Sequence, residues 1–327
     1  IAFMALSPVR RSAGCLAGLA LSVLLVTACE PLGGAGADGP GAGGSTTSSG
    51  PASAAPSGAA SGSGDGAGDL ASSAAAAASS MANDPSPAAS KPPLGTVPPA
   101  WLGKRPLPET ADGFGVRQPT PPELRNRRFT LPDTVPMLPG RGFRSTVVTP
   151  APAAVIARST WEPGCPVGVA DLAWIRLTFR GFDGARHTGE LLVNRSVADD
   201  MVTVFQDLWD QRFPLEEMRV TRRDELDAPP TGDGNNTSAF VCRVTVGSTS
   251  YSQHAYGLAV DVNEFQNPYI KGALLLPELA GAYLDRGRVR PGMLTPAAIA
   301  AFGKVGWEWG GNWNSLKDLH HFSRNNK

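Results

Sequence analysis

Three of the chain's four histidines lie in two segments whose residue types could hold a metal. The first segment runs Ser252-Gln253-His254-Ala255-Tyr256-Gly257-Leu258-Ala259-Val260-Asp261. The second runs from Trp307 through Trp309-Gly310-Gly311-Asn312-Trp313 to Asp318-Leu319-His320-His321-Phe322. Two imidazoles and a carboxylate form a three-donor zinc set with an open fourth position for water. A second carboxylate beside that water can act as general base. Asp318 and His321 are three apart, so one turn can place both on one side. Spacing alone leaves other readings open: histidines satisfied within a core, and an arginine rather than a cation as the partner of Asp261.

These side chains need elements to hold them. Residues 257–263 read as a strand, with Leu258, Val260 and Val262 on one face and Ala259, Asp261 and Asn263 on the other. Asp261 leaves that strand beside small Ala259, and Gly257 permits close backbone approach just after His254. Trp174 to Arg180 alternates like a half-buried strand, Asp183-Gly184 turns it, and Gly189 to Asn194 returns, which predicts a hairpin. Ser196 reads as a helix cap, with Asp199 and Asp200 in the first turn. Val197, Met201, Val204, Phe205, Leu208 and Trp209 then recur at helical spacing and mark a core face. Thr295-Pro296 starts another helix that should stop near Gly306. Strands and helices mix without regular alternation. The predicted class is α+β, a small antiparallel sheet with flanking helices.

Ser252-x-His254-x2-Gly257-x-Ala259-x-Asp261, then Trp309-Gly310-Gly311-x-Trp313 and Asp318-x2-His321-Phe322, together resemble the M15 zinc peptidases. These comprise D-alanyl-D-alanine carboxypeptidases and L-alanyl-D-glutamate endopeptidases of cell-wall metabolism. The resemblance covers about residues 155–325. It implies a Hedgehog/DD-peptidase-like zinc fold and Zn2+ as cofactor. It further implies His254, Asp261 and His321 as metal ligands and Asp318 as general base. Many family members have Glu at that last position. His320 is the rival third ligand, otherwise a rim residue. Ser252 would line the pocket, and Arg243 would face substrate carboxylate or the oxyanion, with Arg212 and Arg222 as rivals. Trp309, Trp313 and Trp307 could wall the cleft or belong to the core. The implied activity is hydrolysis of peptidoglycan stem peptides, of the D-Ala-D-Ala carboxypeptidase type. The alternatives are an L-Ala-D-Glu endopeptidase on the same site or a non-catalytic wall-binding lipoprotein. A structural spacer, with the N-terminal half as the functional part, is a third reading.

The rest of the chain is organised around that domain. Of its 327 residues, 29 are basic and 29 acidic, a balance that gives no support to a nucleic-acid binder. Arg10 and Arg11 precede an apolar stretch from Ala13 to Val26, which reads as a secretory signal over 1–28 and is too short to span a bilayer. Met4 is the expected start. Val26-Thr27-Ala28-Cys29 resembles a bacterial lipobox, which implies lipidation of Cys29 and an extracytoplasmic, membrane-anchored protein, or a secreted one if the lipobox is unused. Between Pro31 and Ala100, 56 of 70 residues are Gly, Ala, Ser or Pro, with no aromatic residue. Such a stretch buries too little apolar surface to order itself, so 29–100 reads as a tether. Residues 101–150 read as a Pro-rich, solvated arm whose eight basic and four acidic side chains could touch an anionic surface. The peptidase domain should occupy 151–327, and removal of residues 30–149 should then spare its activity. Cys165 and Cys242 should pair in an oxidising compartment, closing a loop worth about 4–5 kcal/mol in the chain-entropy treatment. The expected state is a monomer.

Overall fold

Apolar alternation produces the hairpin where the sequence places it. Strands β2 (Leu172–Gly181) and β3 (Arg186–Asn194) pair antiparallel from Leu172↔Asn194 to Arg180↔Arg186. On the other edge of β2 lie β1 (Ser145–Val148), antiparallel, and the short parallel β4 (Pro214–Leu215). The structure is a computed structural model, and it describes residues 92–245 and 248–326, all within the unit Met81–Lys327. The expected signal peptide, Cys29 and most of the expected tether lie outside the described residues.

Helix α1 (Ala153–Arg158) precedes the hairpin and α2 (Ala198–Asp210) follows it. The predicted face of α2 is the observed one: Met201, Val204, Phe205, Leu208 and Trp209 are buried together with Ile175, Leu177, Leu191 and Val193 of the sheet. The cap differs from expectation. Asn194, not Ser196, accepts the Ser196 amide at 3.1 Å and starts a 3-10 turn at Arg195–Val197 that runs into α2. The longer Asn side chain at the end of β3 reaches that amide first. Helix α3 (Pro296–Gly303) begins as predicted, with Thr295 accepting from the Ala298 amide.

Among the described residues three small sheets stand where one was expected. The second contains β5 (Ala259–Asp261), β10 (His321–Ser323) and β8 (Glu308–Trp309), in the order β5-β10-β8. The third contains β7 (Leu274–Leu276), β6 (Tyr269–Lys271) and β9 (Lys317–Asp318), in the order β7-β6-β9. All pairings in these two sheets are antiparallel. The mixture of short helices with small, mostly antiparallel sheets is α+β.

Core packing determines what the second sheet presents outward. Val260, Val262 and Phe322 are buried in the main core, and Phe322 stacks on Phe302 of α3 with ring centroids 3.6 Å apart. Side chains alternate along a strand, so Asp261 and His321 must face the other way. They are direct register partners, His321↔Asp261, beside Phe322↔Val260.

Residues 101–150 are not a solvated arm. Leu124 and Phe129 form a buried cluster with Phe265, Leu279, Tyr283 and Met293, and Trp101, Leu102, Leu107 and Leu131 pack against it. Asp133 accepts the Thr188 amide of β3 at 2.8 Å, and its other oxygen lies 2.8 Å from His187 Nδ1. Arg127, the most deeply placed of the basic residues, is 2 % exposed. A Pro-rich composition keeps regular structure here short, to a 3-10 turn at Pro122–Leu124 and strand β1, yet the scattered aromatic and aliphatic residues still find core partners. The last stretch of the expected tether also packs, since a Cβ at Gly95 would collide with the Asn126 carbonyl. Cys165 and Cys242 form a disulfide, as expected. Among the described residues no helix is long and apolar enough to cross a membrane.

Candidate metal and catalytic site

Each ligand side chain is held by a local device. Ser252 caps the 3-10 turn Gln253–Tyr256, its Oγ accepting the His254 amide at 3.4 Å, and Gly257 closes the turn at φ +67. A Cβ on Gly257 would lie 2.4 Å from the Asn194 nitrogen, so only glycine lets this turn dock on the end of β3. His254 Nδ1 donates to the Ala239 carbonyl at 2.5 Å. That bond leaves Nε2 directed at Asp261 Oδ2, 3.1 Å away. His321 Nδ1 lies 3.1 Å from Asp261 Oδ1 and 3.1 Å from His254 Nε2. All three residues are buried.

This donor set fits zinc. Tetrahedral bonds of about 2.0–2.1 Å place neighbouring donors roughly 3.3 Å apart, close to the 3.1 Å between the two imidazole nitrogens and from each nitrogen to an Asp261 oxygen. A carbonyl behind the His254 ring is the usual outer support that fixes tautomer and ring orientation. Electrostatics agree. Burial alone would raise the Asp261 carboxyl, but His254 and His320 hold it well below the usual carboxylate range. Burial alone would lower His321, but Asp261 raises it above the ordinary imidazole value. A proton on His321 therefore competes with a cation. Zinc affinity is expected to fall by up to about tenfold per pH unit, for each proton displaced, as pH drops below the raised His321 value. Titration calorimetry across pH in buffers of different ionisation enthalpy measures both effects.

Alternation along the chain separates the two adjacent histidines. His321 joins the donor set, while His320 turns to Asp318, its Nε2 2.9 Å from Asp318 Oδ1 and its Nδ1 2.7 Å from the Asn267 carbonyl. The His320–Asp318 contact is one of charge, since Asp318 Oδ1 accepts no well-directed hydrogen bond. Burial works against a charged His320, yet Asp318 and Asp261 push it up to about 10. Asp318, the expected base, thus lies beside a cation and on the same cavity as the donor set.

The cavity has a volume of about 690 Å³. Ser252, Arg243 and Trp313 line it. Arg243 is exposed and, among the described residues, its guanidinium bonds only the Val244 carbonyl. Its rivals are elsewhere: Arg222 pairs with Asp224, and Arg212 follows α2 away from the lining. Trp309, expected on the wall, and Trp307, for which wall and core were both open, do not line the cavity. Trp309 packs against the main core and donates Nε1 to the Leu319 carbonyl at 2.9 Å, and Trp307 is buried with its Nε1 on Asp200. Trp309 therefore steadies the chain just before His320. Trp313 does face the cavity, its ring 5.2 Å from that of His321.

The glycine pair between these tryptophans has a reason. A Cβ on Gly310 would sit 2.8 Å from the Asp318 carbonyl oxygen, 2.9 Å from Asp318 Cβ and 3.3 Å from His321 Cβ. Gly310→Ala is expected to displace both side chains and lower turnover about 10–100-fold while the fold survives. Steady-state kinetics beside a thermal melt checks this.

Three cavity residues escaped the sequence reading. The strand's alternation breaks at Asn263, which adopts φ +46 with its side chain bonded to the Pro214 and Gly292 carbonyls. This turn brings Glu264 onto the cavity, where burial pushes its carboxyl up to about 7 against the pull of His320. Tyr269 is the register partner of Asp318, and burial and the Asp318 charge raise its phenol. Lys271, two residues along the same strand, also lines the cavity. The only available signal was Asn263 itself, a residue that tolerates left-handed backbone.

Residues 246–324 match the family model described as D-alanyl-D-alanine carboxypeptidase. The match contains His254, Asp261, Asp318 and His321 and leaves Arg243 and both cysteines outside. No curated protein and no solved structure matches the chain. Over residues 246–324 the chain is thus similar to the M15 peptidases.

Proposed function

We propose that the chain is a zinc-dependent peptidase that hydrolyses peptidoglycan stem peptides in the D-Ala-D-Ala carboxypeptidase manner. The observation that carries this reading is the convergence of His254, Asp261 and His321 with Asp318 on one cavity. Bound zinc would lower the pKa of a coordinated water towards about 7 and polarise the scissile carbonyl. Asp318 takes the proton of the attacking water and passes it to the leaving amine. His320, itself on the cavity, holds the Asp318 carboxylate by its charge and is anchored by the Asn267 carbonyl. Arg243 pairs with the terminal carboxylate or the developing oxyanion, and Ser252 and Trp313 border the bound peptide. An unpaired arginine at the cavity favours a substrate that ends in a carboxylate, hence the carboxypeptidase over the endopeptidase.

The same reading places the protein outside the cytoplasm as a monomer, held to the membrane through lipidated Cys29 or secreted if that residue is unmodified. The test is chelation of the purified protein followed by zinc. Cleavage of a stem peptide should vanish and return. Cleavage that persists after complete removal of metal would sink the proposal.

A further inference from the structure

Most carboxylates on the cavity have partners. Glu225 receives Arg219 at 2.7 Å, Glu278 accepts the Gly115 amide at 2.7 Å, Asp318 faces His320, and Asp261 belongs to the donor set. The Glu264 side chain has no hydrogen bond and no ion pair among the described residues, yet the residue is half-buried and lines the same cavity. Its Oε2 lies 3.8 Å from the point a Cβ on Gly234 would occupy, and Gly234 also lines the cavity. The missing side chain leaves the carboxylate open to an incoming group. The arginine in its field, Arg219, is already taken by Glu217 and Glu225.

A carboxylate withdrawn from water beside Asp261 is costly, and the one imidazolium in its field, His320, is already engaged by Asp318, so an incoming cation relieves it. A second divalent ion is poorly served, because among the described residues Glu264 belongs to no group of three metal donors. A primary ammonium needs only one carboxylate and gains a charge-assisted hydrogen bond from it.

We infer that Glu264 is a specificity residue that binds a primary ammonium group of the peptide substrate. The inference rests on the stem-peptide reading above. In stem peptides the ammonium is the side-chain amine of the diamino acid residue, which is free only before cross-linking. The enzyme accordingly selects peptides that are not yet cross-linked through that amine. A free α-amino terminus carries the same chemistry, and the test separates the two sources.

The experiment compares zinc-loaded wild type and Glu264→Gln on three forms of one stem pentapeptide: unmodified, acetylated on the side-chain amine, and acetylated on the N-terminus. Side-chain acetylation is expected to lower wild-type kcat/KM about tenfold or more, the effect of one charge-assisted hydrogen bond. Glu264→Gln should bring the unmodified peptide down to the level of the acetylated one. The same collapse on N-terminal acetylation supports the site with the α-amine as its ligand. A wild type indifferent to both acetylations, or a Glu264→Gln variant that lowers all three peptides equally, overturns the inference. If wild type cleaves none of the peptides, the peptidase reading fails. Calorimetric titration of the same peptides then decides the ammonium site independently of turnover. A preference for the free amine that is lost in Glu264→Gln supports it, and no preference overturns it.

Discussion

Arg127→Met is expected to destabilise the domain by about 3–5 kcal/mol, the cost of stranding a buried charge. Both oxygens of Glu216, which is 0 % exposed, receive the Arg127 guanidinium, Nε at 2.7 Å and Nη2 at 2.5 Å. Nη1 donates to the Asp233 carbonyl at 2.8 Å, and the guanidinium lies 4.6 Å over the Phe265 ring. Without it, Glu216 keeps only the Asn235 amide and its burial. Asn235 in turn accepts the Phe265 amide, and the following segment supplies Ser238, which bridges Asp261, and Ala239, which orients His254. The loss should therefore spread to the metal site. Urea denaturation measures it. Replacing Glu216 by Met as well should recover much of the stability, since an apolar pair of similar size is often tolerated where half an ion pair is not. Equal loss in the single and double variants would contradict this account. For the same reason, a chain lacking residues 92–149 should not fold into an active enzyme, contrary to the expectation from composition.

Asp318→Asn is expected to lower kcat by about 10²–10⁴-fold while zinc stays bound. Asp318 is outside the three-donor set, so metal content should match wild type. The amide keeps the shape of the side chain but cannot take a proton from water. It also removes the charge beside His320, so His320 should titrate closer to its ordinary value, which NMR of the imidazole can follow. A variant with wild-type turnover would exclude Asp318 as the base.

The candidate metal donors were legible because their spacing survives as register. Asp261 sits on a short apolar strand and His321 precedes Phe322, so burial of Val260 and Phe322 on one face forces the two ligands together on the other. The hairpin and α2 were legible from periodicity alone. Residues 101–150 were not. No period marks Leu124, Phe129 or Leu138, and eight basic residues suggested solvent, although the one at 127 is the buried partner of a distant glutamate. Such a long-range pair leaves no local trace. Trp309 was misplaced for a related reason: its type suits either a cleft wall or a core, and only the Leu319 carbonyl decides which. Glu264 was hidden by a single left-handed residue, which ended the alternation that placed its neighbours.

The most direct measurement is mass spectrometry of the products released from a defined stem pentapeptide by the zinc-loaded protein. The account predicts loss of one terminal D-alanine and no other cleavage. Cleavage after L-alanine would keep the metal site and reassign the bond. An intact pentapeptide in the presence of stoichiometric zinc would contradict the central claim.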